Sequence, residues 1–384
     1  MDYFFTEEQK QLQALVRKIA EEKVKPVRAE YDITGEFPWD CIKEFSKAGL
    51  FQLFIEEKYG GVSAGSVETC IAMEELSRVC AGIAICYGAS GLGIYPIILF
   101  GNEEQKEKYL PPFARGEKLA AFGLTEPGAG SDAAAQQTTA VRDGNEYILN
   151  GTKQWITNGG EAEIYTVFAM TDKSKGVRGI SAFIVEKGTP GFSFGKKADK
   201  MGIRASVTRE LIFEDCRIPV ENIIAKEGHG FRVAMATLDH TRPEIGAQAL
   251  GIAQGAFDEA LKYSRVREQF GQPLSSFQGL QFMFAEIATH IEATRALVYS
   301  VARFIDGGAK NFTKEGAMVK LFSSEMAMKV TTDCVQLLGG YGYMKDYPLE
   351  KMMRDAKITQ IYEGTNQIQR NVIALRLIKE LAGG

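Results

Sequence analysis

The change of texture along the chain constrains its fold most: helical periodicity fills both ends and short β-rich runs fill the middle. Near the start, Thr6 can cap a helix with Gln9 three residues on, and Leu12, Leu15, Val16 and Ile19 then share one face until Pro26. "WDCIKEFSKAGLFQL", "SVETCIAMEELSRVCAG" and "NEEQKEKYLPPFARGE" carry the same period. From about residue 121 the runs shorten to "EYILNGTKQWI", "EIYTVFAMT", "GISAFIVEK", "GFSFGKK" and "TRELIFEDCRI", and Asp143-Gly144 marks a hairpin. From "GFRVAMATLDHTR" onward long helical periods return, two of them long enough for about five turns or more. Strands and helices are segregated rather than alternating, which excludes a doubly wound sheet. The expected class is α+β, mostly α. It comprises an N-terminal helical domain over 1–120, a middle antiparallel β-barrel or sandwich over 121–230, and a C-terminal four-helix-bundle-like domain over 231–384. A chain of 384 residues suffices for two or three such cores at roughly 100–200 residues each.

Composition removes several function classes. The 45 basic and 49 acidic residues are interspersed and leave a net charge of −4, so neither nucleic acid nor an anionic membrane surface is an expected partner. His229, His240 and His290 are too scattered for a metal cage, and the six cysteines form no CxxC pair, so buried free thiols in a reducing compartment are expected. The start, "MDYFFTEEQKQ", turns charged within seven residues, unlike a signal or transit segment. The run nearest to a membrane span, "AGIAICYGASGLGIYPIILF", is interrupted by glycines, Ser90, Tyr95 and Pro96. A cytoplasmic protein without membrane insertion is the expectation.

"GAGSDA" at Gly128–Ala133 fits GxGxxA, but it precedes the strand region and no crossover helix follows, so it is not read as a Rossmann site. Six longer strings carry more. "FGLTEPGAGSD" (122–132), "KQWITNGG" (153–160), "LDHTRPEIGAQALGIAQGA" (238–256), "REQFGQPLSSFQ" (267–278), "VQLLGGYGY" (335–343) and "MRDAKITQIYEGTNQIQR" (353–370) resemble the acyl-CoA dehydrogenase family in order and spacing. The likeness covers essentially the whole chain and is nearest to the short- and medium-chain branch.

The resemblance implies FAD as cofactor and an acyl-CoA thioester as substrate. Phe122, Leu124, Thr125 and Ser131 match the family's flavin loop, where glycines let the backbone approach a ligand and hydroxyls can bond a polar ring edge; Ser131 also matches a CoA contact. Trp155, Ile156 and Thr157 match flavin contacts, although a strand tryptophan by itself is ordinarily core. Arg267, Phe270 and Gln278, with the run Gln336, Leu337, Leu338, Gly339 and Gly340, match residues that hold the adenine-dinucleotide half across a subunit interface, and Thr365 and Gln367 match further cofactor contacts. A homo-oligomer, typically a tetramer, is therefore implied.

Glu363 lies in "IYEGTNQIQ", where Gly364 breaks regular structure and Thr365 can cap the next helix, so its carboxylate is presented from a turn. Removing a proton α to a thioester needs such a carboxylate in a dry cleft that raises its pKa. In the family the β-hydrogen then leaves as hydride, and the thioester oxygen is polarised by the backbone N–H of the residue matching Glu363 and by a ribityl hydroxyl. Some relatives carry the base in the segment matching "DHTR", but that position here is Thr241. Asp239, Thr241, Arg242 and Gly364 are further expected substrate contacts.

"CYGASGLGIYPI" matches a stretch lining the acyl pocket, and its small residues, among them Gly88 and Gly91 beside Leu92 and Tyr95, suggest room for a compact but wide acyl group, branched or alicyclic. Helix packing between glycines accounts for them nearly as well. The implied electron acceptor is an electron-transfer flavoprotein; an acyl-CoA oxidase or an enoyl-CoA reductase on the same scaffold stays open.

Overall fold

In the structure, a computed structural model describing residues 5–382, Thr6 caps the first helix as its sequence requires. Thr6 Oγ1 accepts from the Gln9 N–H at 3.2 Å and Gln9 Oε1 accepts from the Thr6 N–H at 3.0 Å. This helix, α1 (Glu7–Ile19), is followed by α2 (Arg28–Thr34), α3 (Trp39–Lys47), α4 (Ser66–Phe100) and α5 (Glu103–Ala114). Helix α4 outruns its sequence pattern. It continues through the glycine-rich stretch, with Cys80 at φ −157° and ψ 102° joining two helical segments. The roughly 1 kcal/mol per glycine that helix formation costs is offset because almost every residue of the stretch is buried. Among the described residues α4 is the one helix long and apolar enough to cross a membrane, yet 72% of that window is buried inside the protein. It is a central core helix.

The middle of the chain forms β1 (Ala120–Gly123), β2 (Thr139–Asp143), β3 (Glu146–Thr157), β4 (Ile164–Met170), β5 (Ile180–Glu186), β6 (Phe192–Phe194), β7 (Thr208–Pro219) and β8 (Ile223–Ile224). They make one eight-stranded sheet in the order β6-β7-β3-β2-β4-β5-β8, with β1 attached to β4. The expected hairpin joins β2 to β3, with Gly144 at φ +62°. The sheet is not wholly antiparallel, which corrects the expectation. β1 runs parallel to β4 from Ala120↔Ile164 to Gly123↔Val167, and β2 meets β4 through one parallel pairing, Thr139↔Met170. The loop and hairpin between β1 and β4 return the chain to the same edge, so both strands enter from one end.

The remainder is helical: α6 (Gly230–Val266), a two-residue hairpin of β9 (Glu268–Gln269) and β10 (Gln272–Pro273), then α7 (Gln278–Asp306), α8 (Thr313–Leu338), the short α9 (Gly340–Tyr343), α10 (Leu349–Ile358) and α11 (Asn366–Leu381). Helix α6 is the hub, packed on α4, α7, α8 and α10. Where α4 and α6 cross, a β-carbon at Gly251 would stand 2.2 Å from the Glu74 carbonyl oxygen and one at Gly255 1.9 Å from that of Arg78. Only glycine lets the two main chains touch. Arg295 and Tyr299 of α7 hold the buried Glu74 of α4 at 2.9 and 2.6 Å, which ties the outer helices to the same pair.

Candidate active site

Between α10 and α11 the chain makes a tight return in which Glu363 and Gly364 are both left-handed, at φ 51° and 87°. A non-glycine residue there costs on the order of 1–2 kcal/mol and persists only where its surroundings fix it. They do so here. Thr365 Oγ1 accepts from the Ile368 N–H at 3.3 Å and begins α11, and the Asn366 N–H closes the loop on the Gln360 carbonyl at 3.0 Å. Gln369 Nε2 donates to the carbonyls of Glu363 and Gly364, both at 3.0 Å, and Lys320 Nζ donates to the Gly364 carbonyl at 2.8 Å.

The Glu363 carboxylate so presented accepts from Thr241 Oγ1 at 2.7 Å. Burial pushes its carboxyl up to about 7, while the Thr241 hydroxyl and the charges of Arg242 and Lys320 pull it back. Its own N–H has no hydrogen-bond partner among the described residues. Arg242 is paired through Nη1 with Asp239 Oδ1 at 2.5 Å, and Asp239 Oδ2 accepts from Thr313 at 2.5 Å.

Glu363 and Gly364 line a cavity of about 320 Å³ with Arg242 of α6. Its opposite wall comes from the sheet domain: Phe122 in β1, Leu124, Thr125 and Ser131 after it, and Trp155, Ile156 and Thr157 at the end of β3. The register of β3 on β7 slips between Lys153 and Ile156, Trp155 takes φ 57°, and its indole is 62% exposed. The bulge therefore turns this tryptophan out of the core. The hydroxyls of Thr125, Ser131 and Thr157 have no protein partner among the described residues.

Other expected residues do not line the cavity. Arg267, just before the β9/β10 hairpin, lies at 5.8 Å over the ring of Tyr341, just after the run Gln336–Gly340, at a separate place on the chain. Phe270 is 95% exposed and Gln278, Gln336, Gly339 and Gly340 are also exposed, whereas the side chains of Leu337 and Leu338 belong to the core. Thr365 serves as a helix cap, Gln367 is exposed, and Asp239 and Thr241 act behind the wall on Arg242 and Glu363.

The glycines of α4 require a correction. A β-carbon at Gly88 would stand 2.9 Å from Met73 Sδ and one at Gly91 2.4 Å from the Phe54 ring, so neighbouring side chains already fill that space. These glycines serve helix packing, and neither they nor Tyr95 enlarge the cavity, whose α4 wall is Ile85, Ala89 and Leu92. Tyr95 instead donates to Glu244 Oε1 at 3.1 Å and stacks on His240 at 6.0 Å.

Sequence reasoning missed Phe231, Met235, Leu238 and Tyr362 on the cavity wall. It also missed Glu244, Lys320 and Gln369, all buried. The one available signal was a charged residue on the apolar face of a helical period, in "RPEIGAQALG" and "GAMVKLFSS". Glu244 is pushed up to about 8 by burial and by the neighbouring Glu363 charge.

Comparison with known proteins agrees with this arrangement. Residues 6–117, 121–216 and 228–378 match the family models for the N-terminal, middle and C-terminal domains of acyl-CoA dehydrogenase. The chain is 51% identical over 380 residues to the short-chain specific acyl-CoA dehydrogenase of Clostridium acetobutylicum, covering 99% of this chain and 100% of that one. It is 49% identical to the acryloyl-CoA reductase (NADH) of Anaerotignum propionicum, covering 99% and 96%. A chain solved in work on the electron transferring flavoprotein of Acidaminococcus fermentans superposes with a TM-score of 0.96 at 53% identity, covering 98% of this chain and 99% of that one. With three domain models in sequence along its length, and a cavity where their elements meet, the chain belongs to the acyl-CoA dehydrogenase family.

Proposed function

We propose that this protein dehydrogenates a short-chain acyl-CoA thioester at its α and β carbons, with Glu363 as the base and FAD as the cofactor. The observation that carries the reading is a carboxylate in a cavity, raised to about 7 and held at 2.7 Å by Thr241. A base with that pKa is half ionised at neutral pH, where proton transfer is most efficient. FAD, the cofactor of this family, fits the chain's own residues: the unengaged hydroxyls of Thr125, Ser131 and Thr157 suit the polar edge of a flavin, and the out-turned Trp155 offers it a face. Bound FAD supplies the acceptor for the β-hydrogen and two electrons.

The protein's part is positional and electrostatic. Glu363 takes the α-proton, and its unpartnered N–H donates to the thioester oxygen as negative charge gathers there, an interaction worth about 2.7–4 kcal/mol in comparable sites. Arg242 and the apolar wall of Ile85, Leu92 and Leu238 hold water away from the base. The separate cluster around Arg267 and Phe270 supports a homotetramer in which it serves a partner's cofactor, and electrons pass to an electron-transfer flavoprotein. Six unpaired buried thiols suit a reducing cytoplasm.

The test is Glu363→Gln. The variant is expected to retain FAD and bind thioester while anaerobic flavin reduction by butyryl-CoA slows by orders of magnitude; near-normal reduction removes Glu363 from the role. A second reading, physiological operation as an enoyl-CoA reductase, draws on the 49% identity to the acryloyl-CoA reductase. The same Glu363, protonated, returns its proton to the α carbon in that direction. Turnover with reduced electron-transfer flavoprotein and crotonyl-CoA that outpaces the forward reaction under matched conditions selects it.

A further inference from the structure

Lys320 is fully buried on α8. Its Nζ donates to the Gly364 carbonyl at 2.8 Å and to Asn366 Oδ1 at 3.0 Å, and Ser324 Oγ donates to the same Asn366 oxygen at 3.1 Å. No carboxylate lies within ion-pairing distance of it among the described residues. An ammonium buried against neutral acceptors is expensive, and a neutral donor would bond a carbonyl equally well. The geometry places this group beside the base: Lys320 grips the carbonyl of Gly364, the residue that directly follows Glu363.

We propose that Lys320 is a positioning residue for the base, fixing the Glu363–Gly364 turn from behind and supplying the positive charge that favours the ionised Glu363 carboxyl. The inference rests on the assignment of Glu363 above. The Gly364 carbonyl receives both Lys320 and Gln369, and the Glu363 carbonyl receives Gln369. Both peptides flanking Gly364 are thereby pinned, and with them the Glu363 α-carbon from which the side chain departs. Burial pushes the Lys320 ammonium down to about 7; the Glu363 charge supports it and Arg242 opposes it.

The groups facing this pair are few. From α6 come Thr241 and Arg242, whose charge is shared with Asp239, and Glu244, which is held neutral at pH 7 by its raised pKa. The loop contributes Tyr362, whose phenol burial also keeps neutral, and α11 contributes the uncharged Asn366 and Gln369. Lys320 is thus the one cation that reaches the loop without a carboxylate partner among the described residues. The two sites titrate together, so a measured value belongs to the pair.

Two variants separate charge from grip. Lys320→Gln keeps a donor and removes the charge, while Lys320→Met removes both. In the FAD-loaded enzyme, the pH dependence of anaerobic reduction by butyryl-CoA and the infrared titration of the Glu363 carboxyl, identified by subtraction of Glu363→Gln, are measured together. In both variants the acid limb and the carboxyl titration are expected to move up by about one pH unit, with the alkaline plateau lowered further in Lys320→Met than in Lys320→Gln. Should either variant fail to fold, Lys320→Leu, which is neutral and apolar, takes its place and is expected to move the same limb upward. An acid limb and carboxyl titration left at their wild-type positions overturn the inference, even where thermal stability falls. Those outcomes are distinct from failure of the base assignment, which is read from activity surviving in Glu363→Gln alone.

Discussion

Replacing Thr241 by Val removes the one side-chain hydrogen bond made to the Glu363 carboxylate among the described residues, while nearly preserving shape. Thr241 is buried and its Oγ1 stands 2.7 Å from Glu363 Oε2, far closer than the 3.5 Å to its other acceptor, the Leu238 carbonyl. A hydrogen bond to a charged group contributes about 1.5–3 kcal/mol, and one pKa unit corresponds to about 1.4 kcal/mol. Its loss therefore raises the Glu363 carboxyl by about one to two units above its value of about 7. The sign follows from the base being active when ionised: at pH 7 the ionised share falls from about a half to between a tenth and a hundredth. Stopped-flow reduction of the flavin by butyryl-CoA at pH 7 should slow about 5- to 50-fold and recover toward wild type above about pH 9. A profile lowered equally at every pH, or an unmoved acid limb, refutes the claim that this hydroxyl sets the ionisation of the base.

Glu244 titrates at about 8 instead of the ordinary 4.5, so the folded state holds its proton more tightly and loses stability as pH rises through that interval, by about 3 kcal/mol between pH 5 and pH 8. Thermal unfolding of Glu244→Gln should show a correspondingly shallower decline than wild type, and parallel curves reject the shift. Lys153 is fully buried and donates to Glu126 at 2.8 Å, Gln136 at 2.9 Å and the Leu124 carbonyl at 3.2 Å beneath the loop carrying Thr125. Lys153→Met strands the Glu126 charge and should cost about 3–5 kcal/mol, read as a lower unfolding temperature and weaker FAD retention, with part of the loss restored by adding Glu126→Gln. Gly91→Ala forces a methyl to within 2.4 Å of the Phe54 ring, so unfolding temperature should fall by the equivalent of about 1–3 kcal/mol while the ratio of rates across linear, branched and cyclic acyl-CoA thioesters stays unchanged; an altered ratio returns Gly91 to the acyl pocket.

Much of the site was legible where local chemistry is self-contained. Gly364 and Thr365 mark the turn and cap that present Glu363, and Asp143-Gly144 marks the β2–β3 hairpin, because each depends on backbone preferences of a few adjacent residues. Trp155 needed the resemblance, since its out-turned ring depends on a bulge against β7 that no local pattern encodes. What escaped depends on distant partners. Gly88 and Gly91 look like empty space in sequence, but Met73 and Phe54 occupy it. Lys320 and Glu244 resemble solvated helix charges until α6, α8 and the base loop are seen to enclose them. The parallel pairing of β1 with β4 is likewise decided by where intervening segments return the chain.

The meeting of α4 and α6 at Gly251 and Gly255 leaves no compressible layer between the first and last domains. Ala89 and Leu92, beyond the Cys80 break on the first of these helices, and Leu238 on the second all line the cavity, while the Glu363 turn is held separately from α8 and α11. Trimming or enlarging those three side chains will reshape the room for an acyl tail while the turn bearing Glu363 stays registered, so tail preference and proton abstraction can be varied independently in this scaffold.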